Sequence, residues 1–140
     1  MPESDLFANL EGLMTVPSQH GPKEAMDRLE AELRAEAMTI FARIDHTAGA
    51  REAGLELRPT EVIIFGNARG GTPLMRLSQT AGIDLPLKAL VWQDAKGKTW
   101  ISYNEPSWIA RRHGLTNVDA LVSKLAALLR AVTTKAATDQ

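Results

Sequence analysis

Residues 87–103, LKALVWQDAKGKTWISY, decide the fold. Two apolar, β-branched and aromatic runs, Leu87 to Gln93 and Thr99 to Tyr103, flank Asp94-Ala95-Lys96-Gly97-Lys98, whose Asp and Gly suit a tight hairpin loop. A hairpin makes its two strands antiparallel, which argues against a doubly wound parallel sheet. Beyond it lies the second decisive element. Val118, Leu121, Val122, Leu125, Leu128, Leu129 and Val132 form a helical stripe, and Thr116 and Asp119 give it a Thr-x-x-Asp capping signal. The spacing predicts a C-terminal helix over about 117–134.

Working toward the N-terminus, Glu61 to Phe65 holds the apolar run Val62-Ile63-Ile64-Phe65, too short for a helix and expected as a central strand buried on both faces. Thr72 is expected to cap a short helix with Pro73 at its first position and Gly82 at its end. Met38 to Ile44 is a further strand ending at Asp45-His46, followed by a turn of helix from Thr47 to Ala53 that stops at Gly54. Ala25, Met26, Leu29, Leu33 and Ala37 share one face of an amphipathic helix that follows the turn at Ser18 to Pro22, while Glu24, Arg28, Glu32 and Glu36 face out. Leu13 to Val16 is a short strand closed by Pro17. The order gives an α+β fold: a two-layer sandwich, a mixed, mostly antiparallel sheet with long helices packed on one face.

A chain of 140 residues with 44% hydrophobic and 24% charged residues is expected to form one domain, 1–140, with a short frayed tail at each end. No run approaches the 18 apolar residues of a membrane span, and the acidic start lacks a signal peptide's basic and apolar regions, so a cytoplasmic address without membrane partners is expected. A net charge of −1 argues against nucleic-acid binding, and Arg111-Arg112-His113 reads as a solvated helix end. With no cysteine and three scattered histidines, His20, His46 and His113, neither a metal nor a cofactor is expected. Met14, Met26, Met38 and Met75 read as core filler.

The blocks Phe41-Ala42-Arg43-Ile44-Asp45-His46, Phe65-Gly66-Asn67, Gly71-Thr72-Pro73-Leu74-Met75, Asp84-Leu85-Pro86-Leu87-Lys88 and Ser102-Tyr103-Asn104-Glu105-Pro106 occur in one order. Together they resemble the bacterial and archaeal domain of unknown function 302 family over about residues 14–115. The chain departs from the family's pattern at Ala68, where a proline would follow the Asn. The resemblance implies a small α+β fold and a homodimer, with no agreed reaction or substrate.

Three constellations carry candidate chemistry. His46 is a candidate general base beside Asp45; the alternative is an Asp45 helix cap with His46 bonded to a nearby loop. The loop from Gly66 to Pro73 is a candidate anion or ligand site through Asn67, Gly71 and Thr72, or else a tight strand-to-helix connection. Lys88 and Tyr103 are candidates to flank a ligand oxygen, against a Tyr103 ring that is only half-buried with a wet hydroxyl. Trp92, Trp100 and Trp108 belong to a cavity, a dimer face or the core. The leading expectation is a homodimeric small-molecule binding domain. A cofactor-free enzyme with His46 as base and a structural assembly protein are the alternatives.

Overall fold

The computed structural model describes residues 10–139, and the expected N-terminal tail lies outside them. The elements run β1 (Leu13–Ser18), α1 (Pro22–Ala35), β2 (Thr39–Asp45), α2 (His46–Glu52), β3 (Thr60–Gly66), α3 (Ala68–Leu77), a 3-10 turn (Gln79–Ile83), β4 (Leu87–Gln93), β5 (Thr99–Asn104), α4 (Pro106–Arg112) and α5 (Asp119–Ala137). The strands form one sheet in the order β1-β5-β4-β3-β2. Every pairing is antiparallel, so the sheet is not mixed. No helix among the described residues is long and apolar enough to cross a membrane.

The α+β sandwich follows from two periodicities. The helical spacing of Ala25, Met26, Leu29 and Leu33 turns them all to the sheet, and each is fully buried. On α5 the same spacing buries Leu129, Val132 and Ala136. The strands answer with every second residue: Ile63, Phe65, Ala89, Val91, Ile101 and Tyr103 join those helix residues in one core. Truncating such a buried aliphatic side chain to Ala costs about 2 to 5 kcal/mol. Ala37, expected on the α1 face, instead lies past the helix end with φ 60°.

The 94–98 loop forms as its residues require. Asp94 Oδ1 accepts from the amides of Lys96 and Lys98 at 2.9 Å each, and Gly97 takes φ 82°. Asp94 Oδ2 accepts from Trp100 Nε1 at 2.9 Å. That bond, first, and the two amides hold the carboxyl below the ordinary aspartate range.

Other expectations are corrected. Asn67, not Thr72, caps α3: its Oδ1 accepts from the Arg69 amide at 2.8 Å, so the helix starts at Ala68 and Pro73 lies inside it. The helix ends at Leu77 rather than Gly82, which falls in the 3-10 turn. Val118 occupies the cap position of α5 without a side-chain bond, so Thr116 and Asp119 form no capping box. β3 buries Ile63 and Phe65 on the helix side, but Val62 and Ile64 on the other side stay half-buried. The β4–β5 hairpin lies inside the sheet and offers no edge.

Arg43 ties β2 to its neighbours. Its guanidinium donates to both carboxylate oxygens of Glu61 at 2.9 Å, to Asp27 at 2.9 Å and to Glu30 at 3.3 Å. The bond from Arg43, then the one from Lys23, lowers the Asp27 pKa; Arg34, then Arg43, lowers that of Glu30. A carboxyl whose folded pKa is depressed contributes stability above its unfolded pKa and loses it as pH falls through the folded value. The urea midpoint is therefore expected to fall as pH drops below about 4.5, the ordinary carboxyl range. Arg43→Gln is expected to flatten that acid limb.

Gly12 precedes β1 at φ 76°, and a Cβ built there would meet Trp108 Cγ at 2.2 Å. The indole of α4 lies flat against this backbone, so residue 12 has neither the conformation nor the room for a side chain. Gly12→Ala is expected to cost about 2 to 5 kcal/mol, combining left-handed strain with overpacking. Gly49→Ala, in α2 with nothing within 4 Å of its Cβ, is expected to gain up to about 1 kcal/mol. Paired urea titrations check both.

Candidate functional site

A cavity of about 230 Å³ opens where the helix layer runs out beside β2. Its apolar wall includes Met38, Phe41, Leu74, Met75, Leu85 and Leu125, and Asn67 and Thr72 supply polar atoms. Local sequence explains the opening. The β2–β3 register slips between Ile40 and Ala42, so Phe41 leaves the strand's alternation and stays 58% exposed. Gly66 closes β3 between Phe41 and Pro86; a Cβ there would lie 3.5 Å from the Phe41 ring and 3.3 Å from Pro86 Cβ. Pro86 follows a cis bond from Leu85.

On the facing side, α3 contributes Ala68, Gly70 and Gly71, which have little or no side chain. A Cβ on Gly71 would meet Met75 Cε at 3.7 Å and Leu85 Cδ1 at 3.8 Å, ordinary contacts. Asn67 holds the start of α3 through Oδ1, which leaves its Nδ2 hydrogens to be donated elsewhere.

Of the residues expected at one site, Asn67, Gly71 and Thr72 line this cavity. His46 does not. Asp45 pairs with Glu61, whereas Asn67 follows Gly66, the partner of Thr39 at the opposite end of β2. The five steps of β3 from Glu61 to Gly66, at about 3.3 Å each, separate the two ends by about 17 Å. His46 is exposed at the first position of α2, and Asp45 caps that helix by accepting from Ala48 N at 2.9 Å.

Lys88 and Tyr103 face opposite ways. Tyr103 is opposite Ala89 in the β4–β5 register and shares its helix-side face, so Lys88 lies on the other. Lys88 Nζ donates to the Pro86 carbonyl at 3.1 Å. Tyr103 is 5% exposed and points into the core beneath α5, so its hydroxyl is not a wet group. Desolvation, the largest cause, raises its pKa.

The sequence reading missed two features. Phe41, Met75, Leu85 and Leu125 carry no polar signal, and only the bulge and the α3–α5 packing gather them. His113, expected on a solvated helix end, is instead held by Asp84 at Nε2 and by the Thr80 hydroxyl at Nδ1, 2.9 Å away; Ser78 Oγ continues the chain at 2.9 Å. This is the order of a nucleophile relay, but Arg112 also donates to Asp84, at 2.9 and 3.0 Å. Asp84 is thus shared between two neighbours at the end of α4, and none of these groups lines the cavity. The cluster instead braces Asp84, directly before the Leu85-Pro86 wall.

Comparison with known proteins agrees with this architecture. The crystal structure of an uncharacterized conserved protein DUF302 from Bacillus stearothermophilus superposes with a TM-score of 0.81, covering 91% of this chain and 99% of that one at 21% identity. Proteins named fluoride-specific ion channel FluC 1, from Brucella suis, and FluC 2, from Brucella melitensis, are each 51% identical to this chain over 104 residues. That stretch is 74% of this chain but 41% and 38% of those proteins, so the chain spans about two-fifths of the length of the curated relatives it matches. The family model for the domain of unknown function DUF302 matches residues 14–132, past the recognised blocks and into α5, and the chain belongs to that family.

Proposed function

We propose that this domain binds a small, mostly apolar molecule in the cavity between α3, α5 and the start of β2, and that it acts as a homodimer. One observation carries the reading: a cavity of about 230 Å³ with an apolar wall and polar atoms of Asn67 and Thr72 at one side. Binding sites commonly have this form, an apolar enclosure with a few fixed polar groups. A volume of about 230 Å³ suits a compact ring or short chain. Asn67 Nδ2 and the Thr72 hydroxyl would meet its one polar group.

The Brucella channels bear on context. An α-helical pore needs about 20 apolar residues per span, and no such helix occurs among the described residues. We therefore place the conducting part of those relatives outside the shared stretch and read the stretch as a binding module beside the pore. The cytoplasmic address expected from the sequence stays part of this proposal. Catalysis with His46 as base draws no support from the geometry, because five residues of strand, about 17 Å, separate His46 from Phe41 on the cavity wall.

A thermal-shift series with indole and octanoate tests the reading. A ligand at 100 times its Kd stabilises the native state by about 2.7 kcal/mol. Gly71→Leu would grow a side chain from a helical position toward the cavity, between Met75 and Leu85, while improving helix propensity. It is expected to stay at least as stable and to lose the ligand-induced shift. His46→Ala is expected to change stability by less than about 0.5 kcal/mol and to keep the shift. An equal shift in wild type and Gly71→Leu would overturn the assignment of the cavity.

A further inference from the structure

The sheet has a second face that the helices leave uncovered. Because Ile63, Phe65, Ala89 and Val91 face the helices, strand alternation turns Val62, Ile64, Leu90 and Trp92 the other way. The register sets Val62 beside Leu90, Ile44 beside Val62 and Ala42 beside Ile64, so the apolar surface is continuous over β2, β3 and β4. None of these side chains belongs to the buried core, and Ile44 is 43% exposed. A groove of about 320 Å³ crosses this face, with Leu13, Val62, Leu90 and Trp92 on its apolar side and Lys88, Ser102 and Asn104 as its polar lining. Trp92 is fixed there by its Nε1 bond to Ser102 Oγ at 2.9 Å and by stacking on Trp100, with ring centroids 6.3 Å apart.

An antiparallel sheet with one face in water normally carries polar residues on it. Here the outward positions of three adjacent strands are Ala42, Ile44, Val62, Ile64, Leu90 and Trp92, with polar residues only toward the strand ends at Thr39, Thr60 and Lys88. We infer that this face, centred on Ile44, Val62, Ile64, Leu90 and Trp92, seats a second copy of the chain, the two sheets packing face to face about a two-fold axis. The inference rests on the dimeric part of the proposed function and names its interface.

Three observations select this occupant and this mode. The sheet's edges are poor sites for pairing: Pro17 interrupts the donors of β1, and the Ile40/Ala42 bulge breaks the regularity of β2. The apolar part of the face, three strands at about 4.8 Å by six residues at about 3.3 Å, measures roughly 14 by 20 Å. Two such faces together cover about 600 Å² of flat area, and side-chain relief raises the surface removed from water toward the roughly 1,000 Å² of a specific interface. The face also carries little charge to repel its own copy, because its one charged group, Lys88, lies at the margin with Nζ donating to the Pro86 carbonyl.

The chain has no cysteine, so Ile64→Cys supplies a single clean probe. Light scattering of the wild type is expected to give about twice the 15.3 kDa monomer mass. Leu90→Asp is expected to weaken self-association at least 100-fold with an unchanged far-UV spectrum. Maleimide labelling of Ile64→Cys is expected to be slow at high protein concentration and to speed up at least tenfold on dilution below the dimer Kd. A dimeric wild type in which Leu90→Asp still dimerises and Ile64→Cys labels fast at every concentration would overturn this interface while leaving dimerisation standing. A monomeric wild type would overturn both. A monomer with Ile64→Cys slow at every dilution would assign the cover to the chain's own residues 1–9 and equally end the inference. If Leu90→Asp fails to fold, the concentration dependence of Ile64→Cys labelling decides alone.

Discussion

Two helices cannot cover a five-stranded sheet. Packed helices lie about 8 to 10 Å apart, so α1 and α5 side by side shield roughly 20 Å of a sheet about 24 Å wide. α5 lies toward β1, and α1 spans β2, β3 and β4. The helix layer therefore ends near β2, where the Arg43 ion pairs, the strand bulge and the cavity gather. Arg43 reaches back from β2 to Asp27 and Glu30 of α1, joining the layer's margin to the strand by ion pairs where no third helix supplies apolar contact. At the start of the same strand, α3 only partly closes the gap, and the cavity is the space that remains.

The bulge in β2 makes that space usable. Without the register slip, Phe41 would follow the alternation of Ile40 and Ala42 and lie on one sheet face. With it, the ring stands at the cavity wall beside Gly66 and Pro86. The bulge also spoils β2 as an edge, so one irregularity serves both the site and the prevention of edge pairing.

Much of the fold was legible because periodicity and turn chemistry are local. The stripe from Val118 to Val132, the Asp94–Gly97 loop and the Asp45 cap each depend on residues close in sequence, and each formed, although the expected Thr116 cap did not. The start of α3 was misplaced because Thr72-Pro73 is a strong helix-start signal, and Asn67, five residues earlier, satisfies the same need for an acceptor. The site was legible only in its loop. Asn67, Gly71 and Thr72 announce themselves by type, whereas Phe41, Leu85 and Leu125 meet only through tertiary packing. His46 and Lys88 drew attention through their chemistry, but strand direction and strand parity, which pairing alone fixes, carry them away from the cavity and from Tyr103. The Val62-Ile63-Ile64-Phe65 run has the composition of a strand buried on both faces, and the helices cover only the face of Ile63 and Phe65.

The cavity has an energetic argument of its own. Empty apolar space costs about 24 cal/mol per Å³ when it is fully enclosed, so 230 Å³ would cost at most about 5.5 kcal/mol. A domain's whole stability is only about 5 to 15 kcal/mol. The means of filling it are at hand, because Ala68, Gly70 and Gly71 stand on its wall in a helix, where larger residues match or exceed glycine in propensity. Gly70 and Gly71 have no backbone requirement for glycine, since neither takes a positive φ. Gly71 has ordinary contact distances around its Cβ position, and Gly70 meets only Leu125, at 3.8 Å. Two adjacent glycines inside a helix thus weaken the helix and keep the space open at once. Local stability is given up there in two ways where larger residues would recover both, and that pattern fits a space kept for an occupant better than a packing defect.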